Sequence, residues 1–112
     1  MNSTSFELDP EAMRAAAAKA CALLKVLGNP DRLLLMCRLS QGELSVGELE
    51  RQVGIRQPTL SQQLGVLREH GLVNTRRDGK SVIYSIESSQ ALAVMTVLYE
   101  QFCPNPDKES MS

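Results

Sequence analysis

Residues 45–86 read SVGELERQVGIRQPTLSQQLGVLREHGLVNTRRDGKSVIYSI, and the fold turns on this stretch. Ser45-Val46-Gly47-Glu48 has the form of a capping box. The Ser45 hydroxyl and the Glu48 carboxylate satisfy each other's free backbone N–H groups and so start a short helix. That helix runs to about Val53, and Gly54 supplies the turn. Gln57-Pro58-Thr59 starts a second helix with Pro at its first position. Leu60, Leu64 and Leu67 recur at i, i+4, i+7, which puts them on one buried face, and Gly71 ends the helix. The period then changes. Leu72–Arg77 and Lys80–Ile86 are short, β-branched and partly alternating, and Asp78-Gly79 between them is a two-residue hairpin signal.

Working outward, Asp9-Pro10-Glu11 combines an N-cap oxygen, Pro at the first helical position and an acid in the first turn. It opens a helix that runs through an alanine-rich stretch to about Leu27 and Gly28. Asn29-Pro30-Asp31 repeats this chemistry for a helix to about Ser40. Ser88 caps a last helix, Ser89 to about Phe102, which Pro104 and Pro106 terminate. The pattern predicts helices in positions one to four, two strands, then a fifth helix: a mainly α, winged helix-turn-helix domain over residues 9–103. Flexible tails are expected at 1–8 and 104–112.

The chain has 112 residues, one domain's worth, 43% hydrophobic but only 4% aromatic and without Trp. That favours Leu- and Ala-rich helices over a sandwich or barrel. A core of this size is modest, so dimerisation would help to bury surface. The formal net charge of −1 conceals an asymmetry. Residues 51–80 hold six basic and two acidic side chains, net +4, and the remainder six and eleven, net −5. Such a local cationic face suits a polyanion, although a solvated surface carries the same charge without a partner. Apolar runs break off well short of the ~20 residues that span a bilayer. The start of the chain lacks a basic segment followed by an apolar one. With an odd count of three cysteines, this predicts a cytoplasmic protein with reduced thiols and no membrane partner.

A helix that enters a major groove must expose short polar side chains to base edges and phosphates. Gln57, Thr59, Ser61, Gln62 and Gln63 cluster in the first turns of the fourth helix, beside Arg56. Gln pairs with adenine; Ser and Thr suit phosphate or the thymine methyl. Arg76, Arg77 and Lys80 flank the hairpin tip, within reach of phosphates or the minor groove. These nine residues are the expected contacts to double-stranded operator DNA.

The segments Val46-Gly47-Glu48-Leu49, Gln57 to Glu69, Gly71-Leu72-Val73 and Arg76-Arg77-Asp78-Gly79-Lys80 resemble the ArsR/SmtB family of dimeric bacterial repressors, as does Leu27-Gly28-Asn29-Pro30-Asp31-Arg32. The resemblance covers roughly residues 20–103. It implies a homodimer built through the first and last helices. Gln63 stands where the family often has His. The family's thiolate site at the start of the third helix is lost, since Leu44-Ser45-Val46-Gly47-Glu48-Leu49 holds no Cys. Its fifth-helix carboxylate and imidazole site is reduced to Glu100. No metal site and no cofactor are expected.

Cys37 in the second helix and Cys103 at the end of the fifth resemble the BigR/SqrR/YgaV branch. This resemblance implies that reactive sulfur species link the two thiols by a disulfide or polysulfide bridge and that the repressor then releases DNA. A reactive thiol must be partly exposed, with a resolving thiol nearby. By pattern alone Leu33-Leu34-Leu35-Met36-Cys37 reads as core packing, and so does Cys21. The same thiols also suit a metalloid or peroxide. A thiol sulfur-transfer enzyme is the remaining alternative. It is disfavoured because there is no Cys-x-x-Cys, no Gly-rich phosphate loop and no base near a cysteine in sequence, so no enzyme activity is expected.

Overall fold

The computed structural model describes residues 9–103, so the expected tails at 1–8 and 104–112, with Pro104 and Pro106, lie outside the described residues. The first helix, α1, spans Pro10–Leu27, and its N-cap Asp9 accepts the Glu11 N–H at 3.1 Å. At its end a Cβ on Gly28 would sit 3.1 Å from the Leu24 carbonyl, so glycine lets the chain turn tightly there. Helix α2 (Pro30–Leu39) starts in the same way, with Asn29 Oδ1 accepting the Arg32 N–H at 3.1 Å. Both ends follow from local chemistry: a short polar side chain satisfies a free N–H, and Pro supplies a helical φ without a wasted donor.

After a two-residue strand β1 (Leu44–Ser45) comes α3 (Val46–Val53), entered through the full capping box. Glu48 N–H donates to Ser45 Oγ at 3.1 Å and Ser45 N–H to Glu48 Oε1 at 2.9 Å. Gly54, at φ +79°, closes α3 in the left-handed region that glycine enters without a Cβ penalty. Helix α4 (Thr59–Glu69) begins one residue later than the sequence suggests. Pro58 is the N-cap and makes no side-chain cap bond. The Gln57 amide does the capping instead, its Oε1 accepting the Ser61 N–H at 3.1 Å.

Strands β2 (Val73–Asp78) and β3 (Ser81–Ile86) form the antiparallel wing. Asp78 pairs with Ser81, so the two turn residues are Gly79 and Lys80, one position beyond the expected Asp78-Gly79. The sheet has a third strand that the sequence reading did not anticipate. Its order is β1-β3-β2, with Leu44 opposite Tyr84 and Ser45 opposite Ile83. Two residues are too few to display an alternating pattern. Their pairing serves the unpaired edge of β3 and sews the wing to the start of α3. The last helix, α5, spans Ser89–Phe102, with Ser88 Oγ accepting the Ala91 N–H at 3.0 Å.

The core lies between α2, α3, α4 and α5. Leu35, Met36, Leu49, Leu60, Leu67 and Ala91 are fully buried, and Leu64 and Met95 nearly so. The spacing of Leu60, Leu64 and Leu67 therefore does what its period demands. Each such side chain contributes about 1.5–3 kcal/mol by leaving water. Helix α1 differs: Pro10 to Ala22 is exposed throughout, and the core begins only at Leu23 and Val26. Among the described residues no helix is long and apolar enough to cross a membrane.

Candidate nucleic-acid interface and thiol pair

The buried leucines of α4 turn the opposite face outward. Ser61 and Gln62 are exposed there, with Arg56 and Gln57 in the preceding turn. Gln57 Oε1 also accepts the Ser61 hydroxyl at 2.6 Å, so these two side chains hold each other in a fixed pose. Thr59 is half-buried. Gln63 is half-buried as well and faces inward: its Oε1 accepts Arg32 Nη1 at 2.9 Å. Arg32 also donates from Nε to the Val26 carbonyl at 2.7 Å. One guanidinium thus ties together the end of α1, the start of α2 and the middle of α4. By residue type Gln63 belongs with the outward polar cluster, but residue type does not give a side chain's direction.

Two residues extend the outward face beyond the expected set. Gly65 and Arg68 are exposed at positions three, four or seven beyond Ser61 and Gln62, the spacing that brings residues onto one side of a helix. A Cβ on Gly65 would meet nothing within 4 Å, so packing within this chain does not require the glycine. The signal for both was present in the helical period of the buried leucines.

On the wing, Arg77 and the turn residue Lys80 are exposed. Arg76 is exposed but partnered. It projects from the sheet face opposite Val73 and Thr75 and pairs with Glu43, which precedes β1. The Glu43 carboxylate raises the Arg76 pKa further above its usual range, first through the hydrogen bond and then through its charge. Arg76 therefore enters any contact with phosphate against a carboxylate already in place. The ion pair depends on β1, which brings Glu43 beside the hairpin.

A second constellation joins α2 to α5. Cys37 Sγ, in the last turns of α2, and Cys103 Sγ, at the C-cap of α5, are 3.4 Å apart, although 66 residues separate them in sequence. Both are half-buried. Helix α5 places Cys103 by its final bond, in which Cys103 N–H donates to the Tyr99 carbonyl at 3.0 Å. The Cys37 carbonyl accepts the Ser40 hydroxyl at 2.6 Å. Burial, then the hydrogen bond and charge of Cys103, push the Cys37 thiol up from 9.0 to about 11, and the Arg38 cation opposes this. Cys37 thus keeps its proton, and the two sulfurs meet in an S–H···S contact. Cys21, read from the sequence as a packing residue, is instead exposed on α1. Among the described residues of one chain, the stretch from Pro10 to Ala22 stands clear of the core, so flanking alanines do not bury Cys21 there.

The profile described as bacterial regulatory protein, arsR family, matches residues 29–75. The biofilm growth-associated repressor of Agrobacterium fabrum is 52% identical over 97 residues, covering 87% of this chain and 83% of that protein. The crystal structure of the transcriptional repressor BigR from Xylella fastidiosa superimposes with a TM-score of 0.78 at 50% identity, over 88% of this chain and 100% of that one. Reduced HlyU from Vibrio cholerae superimposes at 0.80 with 40% identity, over 84% and 99%.

Proposed function

Because the chain belongs to the arsR family of bacterial regulatory proteins, we propose that it is a homodimeric, DNA-binding transcriptional repressor that releases its operator when reactive sulfur species link Cys37 to Cys103. The observation that carries the sensing half of this reading is the 3.4 Å contact between the two Sγ atoms. The relatives named repressors support the other half.

The reading surface is the outward face of α4 with the wing: Arg56, Gln57, Ser61, Gln62 and Arg68, then Arg77 and Lys80. Thr59 sits at its edge, and Gln63 and Arg76 act through their partners Arg32 and Glu43. The dimer forms through α1 and α5. Met13, Leu24, Leu92 and Val97 are large apolar side chains left in solvent by one chain, and Phe102 is 79% exposed. Exposed apolar side chains gathered on α1 and α5 suit an interface. A two-fold dimer offers its two α4 helices to half-sites about one DNA turn apart, ~34 Å, so small changes in their spacing weaken binding.

The persulfide is itself the oxidant: its outer sulfur is reduced to sulfide as the two thiols are oxidised. One cysteine sulfur attacks the outer sulfur of a persulfide RSSH and becomes Cys–S–SH, while RS− leaves with the bonding electrons and takes up the thiol proton. The second cysteine then attacks the inner sulfur of Cys–S–SH, which forms the disulfide and expels sulfide. If a second RSSH has first converted the other cysteine, one persulfide attacks its neighbour and a trisulfide forms with loss of the same sulfide. The bridge clamps α2 to the end of α5. Helix α2 begins at the Arg32 tie to Gln63, so a displacement of α2 reaches α4 through that guanidinium. Couplings of this type weaken binding by about 5–150-fold.

The test is anisotropy of a labelled duplex taken from upstream of the protein's own gene. The reduced protein binds, and glutathione persulfide or sodium disulfide releases it. Cys37→Ser and Cys103→Ser bind and are not released, while peroxide and arsenite run as parallel arms. Sulfur-induced release that persists in the double variant refutes the sensing mechanism. A strictly monomeric protein indifferent to duplexes at low salt refutes the whole reading.

A further inference from the structure

Beside the thiol pair is a cavity of about 330 Å³, formed where α2, the end of α3 and α5 meet. Its lining includes Leu34, Cys37, Arg38, Gln52, Val53 and Tyr99. The walls are of two kinds. Leu34, Val53 and Tyr99 offer carbon surface, and Arg38 offers a cation held in place by its Nε, which donates to Gln52 Oε1 at 2.5 Å. A basic residue in the last turn of a helix is ordinary. This one is tethered across to α3 and lines the cavity. Its charge also acts on Cys37, whose ionisation it favours. Glu48 is close enough to feel Arg38, but that carboxylate is engaged by the Ser45 hydroxyl and N–H.

A cavity with apolar walls, one fixed cation and a thiol at its side has the make-up of a small-molecule site. A bare hydropolysulfide, a few atoms across, fills little of it. We propose that this cavity is the seat of a carboxylate-bearing low-molecular-weight persulfide, with its carboxylate on Arg38, its carbon stem against Leu34, Val53 and Tyr99, and its outer sulfur at Cys37. The proposal rests on the sulfur-sensing reading above and adds the class of donor and the residue that selects it. In the seated complex Cys37, 3.4 Å from Cys103, gives its thiol proton to solvent and as the thiolate attacks the outer sulfur of the donor. Cys37 becomes the persulfide, and the organic thiolate departs with the electron pair and is protonated by solvent. A guanidinium–carboxylate pair is among the stronger hydrogen-bonded contacts, so the seat speeds donors that carry the carboxylate over those that do not.

The experiment measures the rate of Cys37–Cys103 bridging by quenched mass spectrometry with three donors: glutathione persulfide, the carboxylate-free persulfide of N-acetylcysteamine, and sodium disulfide. The wild-type rate saturates with glutathione persulfide. Arg38→Gln slows that donor about tenfold, leaves the carboxylate-free persulfide within about twofold, and is largely rescued by Arg38→Lys. Gln52→Glu neutralises the cation without removing it and slows glutathione persulfide selectively. It decides the matter should Arg38→Gln fail to fold. Equal slowing of all three donors makes Arg38 a tuner of thiol ionisation and overturns the seat. Equal slowing of sodium disulfide and glutathione persulfide alone overturns its organic part. No bridging of the wild type by any donor removes the sensing reading and the seat together, whereas bridging indifferent to both variants removes only the seat.

Discussion

Reduced protein treated with a persulfide donor should acquire one extra sulfur between Cys37 and Cys103, and the geometry gives the reason. The Sγ atoms are 3.4 Å apart. A plain disulfide has an S–S length of about 2.05 Å, so closing it draws the sulfurs together by roughly 1.4 Å. Two such bonds at an angle of about 107° span about 3.3 Å, within roughly 0.1 Å of the separation already present. Three bonds with a right-angled torsion span about 4.3 Å and require the helices to part by roughly 0.9 Å. One inserted sulfur is therefore the bridge that forms with the least movement. Intact-mass spectrometry separates the cases: about +30 Da for the trisulfide, about −2 Da for the disulfide and about +62 Da for the tetrasulfide. The assay is run in a Cys21→Ser background, because Cys21 is exposed and takes up sulfur and alkylating reagent on its own account. A product dominated by −2 Da under excess donor, or mass added without a bridge, would refute the reasoning from separation to stoichiometry.

Three further outcomes are expected. In Cys103→Ser the Cys37 thiol ionises below the wild-type value of about 11 but above 9.0, because the hydrogen bond and charge of Cys103 are gone and burial, the larger cause, remains. Thiolate absorbance against pH reads this directly. Since the folded value is the raised one, its contribution to stability is complete below 9.0 and is lost as pH rises towards 11, a loss smaller in the variant. Arg32→Ala retains duplex binding in the reduced state but blunts sulfur-induced release at least severalfold by anisotropy, because it cuts the tie from α2 to Gln63. Release of wild-type size in Arg32→Ala sinks that route. Glu43→Gln frees Arg76 for phosphate, so duplex affinity rises and the slope of log affinity against log salt steepens by about one; an unchanged slope shows that Arg76 stays away from the backbone.

Much of the fold is legible residue by residue. Asp9, Asn29, Ser45 and Ser88 each cap the helix they precede, because an N-cap bond reaches only two or three residues along the chain. The same locality explains the small errors. Pro58 before α4 is a cap and not a first turn because the Gln57 side chain supplies the capping acceptor, and the hairpin turn lies one residue on because the register of β2 against β3 is a property of the pair. The candidate reading face was found by residue type, and its directions were not. Gln63 and Arg76 looked free because Arg32 and Glu43, their partners, come from other elements.

From its order of residues alone the chain determines that helices and a hairpin form, where they start, and which leucines of α4 face inward, since these follow from contacts a few residues long. Only the tertiary structure decides that Leu44–Ser45 completes the sheet, that Arg32 joins three helices, and that Cys37 meets Cys103. Those contacts depend on how packed helices orient side chains far apart in sequence, which no local periodicity encodes.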